Sequence, residues 1–247
     1  MIDFQYYNSN QKPLYEICYE YLKDAIVCGF ICVGEAIGES DYASLFNVSR
    51  TPVRTAIKKL ENYGLVEVDL VSGATLVKGL GIDGITNVYQ MQITLEKLLF
   101  PLVLKNITDE DLIHLYKLLS DIETAVKRKD LIFASEANSL LHRKVMMISR
   151  FVGVKEVINW AYGLVNGFNL LAFEDVDRQC AILNEHRALV NAMQTGDCAL
   201  LLQAASNHTE SCMNYSLKHY KLNYNRRVLE LNSSEEKKSG HPNLRIL

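Results

Sequence analysis

Residues 47–60 read NVSRTPVRTAIKKL, a stretch that carries Arg50, Arg54, Lys58 and Lys59 and no acidic residue. Ser49 suits a helix N-cap, whose side-chain oxygen accepts from one of the backbone N–H groups that a first turn leaves unpaired. Pro52 then falls in that first turn, where its missing donor does no harm. The spacing predicts a helix from about Arg50, with Val53, Ala56, Ile57 and Leu60 on one inward face. Arg50, Arg54 and Lys58 form a separate stripe at four-residue steps. A helix enters the major groove of DNA when some side chains reach base edges while flanking groups hold phosphates. Arg50 and Arg54 sit near the N-terminal end, the end that points into the groove, and Ser49 and Thr51 add hydroxyls where the helix dipole favours an anion.

The flanking sequence completes a small domain. PLYEICYEYLKDAIVCG puts Leu14, Cys18, Tyr21, Leu22, Ala25 and Ile26 on one helical face, predicting a first helix over about 13–28 that Gly29 ends. ESDYASLF predicts a short second helix with Tyr42, Leu45 and Phe46 inward, followed by a turn at Asn47. After Gly64 closes the basic helix, LVEVDLVSGATLV has the β-formers and the Ser72-Gly73 break of a short hairpin. Three helices and a hairpin make a winged helix-turn-helix over residues 1–78. Charge alone leaves a second reading open, a small α+β domain with a solvated basic face, because these residues have seven Lys and Arg against ten Asp and Glu.

The junction VKGLGIDG contains three glycines and marks a linker at 79–84. From 85 to 224 only helical periods appear, broken by caps at Thr108 and at Gly196-Asp197, with Pro101 expected to kink or break the first helix of this half. Residues 225–247, including SSEEKKSGHPN, read as a polar tail. The fold class is therefore mainly α, a winged helix-turn-helix domain followed by an all-α antiparallel bundle.

Composition narrows the class. With 49% hydrophobic and 22% charged residues the chain reads as a globular protein, and no apolar run reaches the ~18 residues of a membrane span. Cysteines at 18, 28, 32, 180, 198 and 212 show neither a CxxC pair nor the dense spacing of a secreted disulfide scaffold. These features predict a soluble, cytoplasmic protein with reduced thiols and no membrane partner.

The helical half contains three histidines with a pattern. His142 in NSLLHRK, His186 in LNEHRALV and His208 in AASNHTES fall on three predicted helices, each flanked by apolar residues at helical spacing. All three can face one bundle interior. Two readings stay open on spacing: three separately hydrogen-bonded histidines, or a shared cation that satisfies their acceptor nitrogens.

LYEICYEYLKDAIVCGF followed by GEAIGESDYASLFNVSRTPVRTAIKKLENYGLVEV resembles the DNA-binding domain of the GntR family of bacterial transcription regulators almost without gaps. The resemblance implies a homodimer that binds double-stranded DNA at an inverted-repeat operator. It places Ser49, Arg50, Thr51 and Arg54 at DNA-contact positions and Gly73 in the wing, with Lys58 continuing the basic stripe.

The C-terminal half is similar to the FCD effector-binding domain of the FadR-like subfamily. There an Asp-x-x-x-His pair and two later histidines hold a divalent metal, which implies a site of Asn138, His142, His186 and His208, with asparagine in place of the commoner aspartate. Three imidazoles suit Zn or Ni better than Mg or Ca. The resemblance also implies effector-binding positions at Gln92, where relatives often carry an arginine, and at Arg178. The function so implied is a repressor that senses a small metabolite, an organic acid, beside the metal. The alternatives are a metal-dependent enzyme built on the bundle, or a regulator whose metal is absent or structural; no base or nucleophile beside the histidines stands out in the sequence, which argues against an enzyme.

Overall fold

The computed structural model describes residues 4–7, 12–151, 153 and 155–239. They group into two units, one made of residues up to Ile82 together with those from Lys218 onward, the other of Asp83–Leu217.

In the first unit a 3-10 turn at Phe4–Tyr7 precedes α1 (Leu14–Val27), α2 (Glu39–Phe46), α3 (Arg50–Asn62), β1 (Val66–Val68) and β2 (Thr75–Val77). Cys18, Leu22 and Ile26 of α1 pack with Val53, Ala56 and Leu60 of α3 as a core almost closed to solvent. The strands pair antiparallel with Val66 opposite Val77 and Val68 opposite Thr75. The segment before α2 joins their edge, since Ile37 N–H donates to Thr75 O and Val77 N–H donates to Glu35 O. This is a winged helix-turn-helix, and α1, α2 and α3 lie within a residue or so of the expected spans.

Two local readings change. In α2 the buried residues are Ala43 and Phe46, whereas Leu45, expected inward, is 62% exposed. At about 100° per residue, Ala43 and Phe46 share the inward face, and Leu45 is turned away from it. Phe46 is fixed there by stacking on Phe4 at 4.1 Å between ring centroids and by an edge contact with Tyr21. Ser49 occupies the N-cap of α3 in an extended conformation, but its side chain makes no capping bond.

The second unit contains α4 (Gly81–Asn106) from Asp83 onward, α5 (Asp109–Arg128), α6 (Leu131–Ile148), α7 (Lys155–Leu164), α8 (Gly167–Glu174), α9 (Val176–Thr195) and the first part of α10 (Cys198–Ser239). Its core joins Leu99 and Val103 to Leu115, Ile122, Leu141, Phe173 and Val190. Of the kink or break expected at Pro101, the break does not occur: α4 runs through the proline. Leu99, Phe100 and Val103 on either side are all buried in the same core, and that burial offsets the loss of one backbone hydrogen bond. Thr108 caps α5 in a reciprocal box with Asp111, and Gly196 at φ 72° ends α9.

The C-terminal segment also differs from the expected tail at 225–247. Helix α10 continues through residues 225–239, while 240–247 lie outside the described residues. The helix persists because one side of it finds partners in the winged unit. Asn223 donates to Cys28 O at 3.0 Å, Arg227 donates to both oxygens of Glu35, and Tyr220 packs over Gly29. A Cβ at Gly29 would lie 3.0 Å from the Tyr220 carbonyl oxygen, so this close approach, together with φ of 79°, explains a glycine there.

Candidate functional site

The outer face of α3 carries the side chains that the sequence singles out. Ser49, Arg50, Thr51, Arg54 and Lys58 are all exposed, opposite the buried Val53, Ala56, Ile57 and Leu60. Glu39 at the start of α2 pairs with both arginines: Arg54 donates to its two oxygens at 2.9 Å, and Arg50 donates at 3.2 Å. The carboxylate therefore holds the two guanidiniums side by side in advance of any ligand. The hydrogen bond from Arg54 keeps the Glu39 carboxyl below its ordinary value despite partial desolvation. In the wing, Gly73 at φ 72° closes a turn organised by Asp69, which accepts from Val71 N–H and from Ser72. Leu70 and Val71 at its tip are almost fully exposed.

Within the second unit α6, α9 and α10 bring His142, His186 and His208 together. Ring centroids lie 4.6 to 5.3 Å apart, and Nε2 of His186 lies 3.2 Å from Nε2 of His142. Asn138 stands one turn before His142 on α6 and is 3% exposed. A cavity beside His142 and His208 is lined by Gln92 and Glu96 of α4, Asn138 and His142 of α6, Tyr162 of α7, and His208, Thr209 and Cys212 of α10, with Val165 and Ile182 among its apolar walls.

Two buried polar atoms here have no hydrogen-bond partner, Oδ1 of Asn138 and Nδ1 of His186. Leaving such atoms unpaired is costly, and Oδ1 of Asn138 faces the cavity, where a ligand could satisfy it. Burial lowers the pKa of His142 to about 3, with the charge of His208 adding to the effect, and burial also holds His186 well below its ordinary value. Both rings are thus neutral, the form that ligates a metal. Burial opposes the charge on His208 as well, but Cys212 and Glu185 outweigh it and raise its pKa to about 10. At Glu185 burial is again the largest influence, and the bonds from His208 and Arg178 overcome it, giving about 2.

A metal fits this donor set. Around an ion with tetrahedral bonds of about 2.05 Å to nitrogen, two ring nitrogens lie about 3.3 Å apart. The 3.2 Å between the Nε2 atoms of His142 and His186 matches that edge. Nδ1 of His208 is bonded to Glu185 at 2.8 Å, which would leave Nε2 for an ion, with Glu185 orienting the ring.

The two residues read as effector contacts are placed differently. Gln92 lines the cavity, and its amide donates to Ala161 O at 3.1 Å. Arg178 is absent from the cavity wall: its guanidinium donates to both oxygens of Glu185 and to Ser211 and Cys212. It is held there because an almost fully buried guanidinium needs a carboxylate, and Glu185 two turns along α9 provides one.

Four lining or supporting residues escape the sequence reading. Glu96 is buried beneath hydrogen bonds from Tyr162 at 2.8 Å and Thr209 at 3.0 Å, and burial raises its pKa. Tyr162 belongs to a segment with no motif. Glu185 precedes His186 directly, and Cys212 follows His208 by four residues, an i, i+4 spacing that does signal a shared helix face.

Residues 87–211 match the family profile of the FCD domain, and residues 14–76 match that of the bacterial regulatory proteins of the gntR family. The uncharacterized HTH-type transcriptional regulator YdhC of Bacillus subtilis is 28% identical over 213 residues, covering 85% of this chain and 92% of that one. The gluconate operon transcriptional repressor of the same organism is 28% identical over 196 residues, 76% of this chain and 78% of the relative. The HTH-type transcriptional repressor RspR of Escherichia coli is 24% identical, with 81% and 87% covered. Among solved structures, McbR/YncC of Escherichia coli superposes with a TM-score of 0.65 at 18% identity, covering 85% of this chain and 100% of that one, a likeness of fold alone.

Proposed function

The chain belongs to the GntR family of bacterial regulatory proteins and carries its FCD domain, which makes it a DNA-binding transcription regulator rather than an enzyme, and we propose that it is a homodimeric repressor whose helical half senses a small organic acid beside a divalent metal. The convergence of His142, His186 and His208, with the buried and unpartnered Oδ1 of Asn138 on the wall of the cavity beside His142 and His208, carries this reading. His142, His186 and His208 would hold the ion, with Asn138 as a weaker donor through its amide oxygen. A bound transition metal there supplies Lewis acidity toward a carboxylate or hydroxyl of the effector. Gln92 and Thr209 offer neutral polar contacts to the same ligand.

The names of two relatives support repression, and one of them refers to the gluconate operon, which favours a hydroxylated acid as the effector class. On the DNA side, α3 would read an inverted repeat through Arg50 and Arg54, with Ser49, Thr51 and Lys58 on phosphates and the Gly73 wing beside them. Effector binding relieves repression by favouring a dimer whose two reader helices no longer match the half-site spacing. No helix among the described residues is long and apolar enough to cross a membrane, in keeping with a cytoplasmic site of action.

Thermal-shift screening of metal-loaded and metal-stripped protein against small hydroxy acids and sugar acids tests this reading. A stabilising acid that also releases DNA, and does both only when metal is present, is the expected result. An equal effector response in metal-free protein contradicts it.

A further inference from the structure

The cavity beside His142 and His208 carries more acceptors than donors on its wall. Among the described residues, no lysine or arginine lines it. Glu96 does line it, at 5% exposure, with two hydroxyls as its hydrogen-bond partners: Tyr162 donates to Oε1, and Thr209 is within reach of both oxygens. A carboxylate offers about four acceptor positions, and a buried one is ordinarily matched by a cation. Oδ1 of Asn138, on the same wall, is a second buried acceptor and has no hydrogen-bond donor.

The cations nearby are engaged elsewhere. Arg178 is off the wall and makes its forked pair with Glu185. The charge on His208 is met by the same carboxylate through Nδ1 at 2.8 Å. Gln92 is neutral, and its amide donates to Ala161 O. Tyr89 and Tyr162 add aromatic surface to the wall, and aromatic faces attract cations. What this wall lacks is a positively charged donor.

Resting on the reading of an organic acid beside a metal, we propose that the effector also carries a protonated amine, as amino acids do, and that Glu96 is the residue that selects it. An ammonium has three N–H donors, enough for Glu96 and Oδ1 of Asn138 together, while the ligand's carboxylate turns to the ion. The amide oxygen has two lone pairs, so a weak bond from Asn138 to the ion leaves one for this donor. An acid with a hydroxyl in place of the amine offers Glu96 one donor and no charge. A plain acid brings only like charge toward it.

Full-length, untagged protein, its metal content measured by elemental analysis, is titrated calorimetrically with paired ligands. The pairs are glycine and glycolate, alanine and lactate, serine and glycerate, aspartate and malate, and glucosaminate and gluconate. At least one amino form should bind about tenfold or more tighter than its hydroxy counterpart. Glu96→Gln should weaken that amino form by at least about tenfold and the hydroxy form much less, while Glu96→Asp, which keeps the charge, retains part of the preference. The wild-type comparison decides by itself if the Glu96 variants fail to fold. Hydroxy forms that bind as tightly as every amino form, or no binding by any amino form, overturn the ammonium subsite, and in metal-containing protein the histidine site still stands. A preference that survives Glu96→Gln overturns the role of Glu96. An amino preference that depends on Glu96 in protein that takes up no metal overturns the metal reading alone.

Discussion

His142 and His186 present their Nε2 atoms to each other at 3.2 Å. Without an ion one ring must donate to the other. With an ion, both Nε2 atoms become ligands. His142→Ala should therefore nearly abolish zinc binding, and Asn138→Asp should tighten it by about tenfold, since a carboxylate adds charge where the amide has none. Competition against a chromogenic chelator measures both; a tighter His142→Ala or a weaker Asn138→Asp contradicts the ligand assignment.

Glu39 links Arg50 and Arg54, so substituting the acid and substituting the bases should have opposite effects on DNA binding. Arg50→Ala and Arg54→Ala should each weaken binding to a selected operator by about tenfold to hundredfold, the usual cost of losing a base contact. Glu39→Gln should raise non-specific affinity at low salt by several-fold and steepen the salt dependence, because two cations are released from their partner. Fluorescence anisotropy at a series of salt concentrations separates these outcomes. Unchanged affinity in both arginine variants removes the reader assignment.

Gln92 on the cavity wall cannot form the charged, two-pronged pair that an arginine makes with a carboxylate. Simple monocarboxylates should bind poorly, and Gln92→Arg should improve them by about tenfold or more. Calorimetric titration with acetate-sized acids checks this, and micromolar affinity in the wild type runs against it.

Acid stability has a contribution from the start of α5. Lys144 holds the Asp111 carboxyl below its ordinary value of 3.8, with burial opposing and the Thr108 bonds helping. A depressed carboxyl stabilises the fold above its unfolded pKa, and that contribution disappears as pH falls through the folded value. Asp111→Asn should therefore lower Tm at neutral pH, with the gap from wild type closing as pH drops below about 3.8. Thr108→Ala should cost about 1 kcal/mol at neutral pH and somewhat less once Asp111 is protonated, because its hydroxyl donates to that carboxylate. A gap that widens in acid contradicts the assignment.

The winged half was legible because its signals are local. Caps, glycines and the Val53–Leu60 face are decided within one or two turns, and α3 begins at the expected residue. Leu45 was misread because a short helix offers too few turns to fix its phase, and what decides the matter is Phe46 meeting Phe4 and Tyr21 across the chain. The run of α10 past residue 225 was hidden for a similar reason: Arg227 and Glu35 are 192 positions apart, so the stretch reads as polar tail until its partner is known. In the cavity, helical spacing was enough to align the histidines, but Arg178 was read as an effector contact because its pairing with Glu185 depends on burial that no spacing reveals.

Metal content is the most direct test of the account. Elemental analysis of full-length protein prepared without a histidine tag should find a stoichiometric first-row ion, zinc or nickel, that is lost from His142→Ala. Wild-type protein that is free of metal as isolated, and that takes up neither ion on titration, would contradict the claim that these three histidines form a metal site.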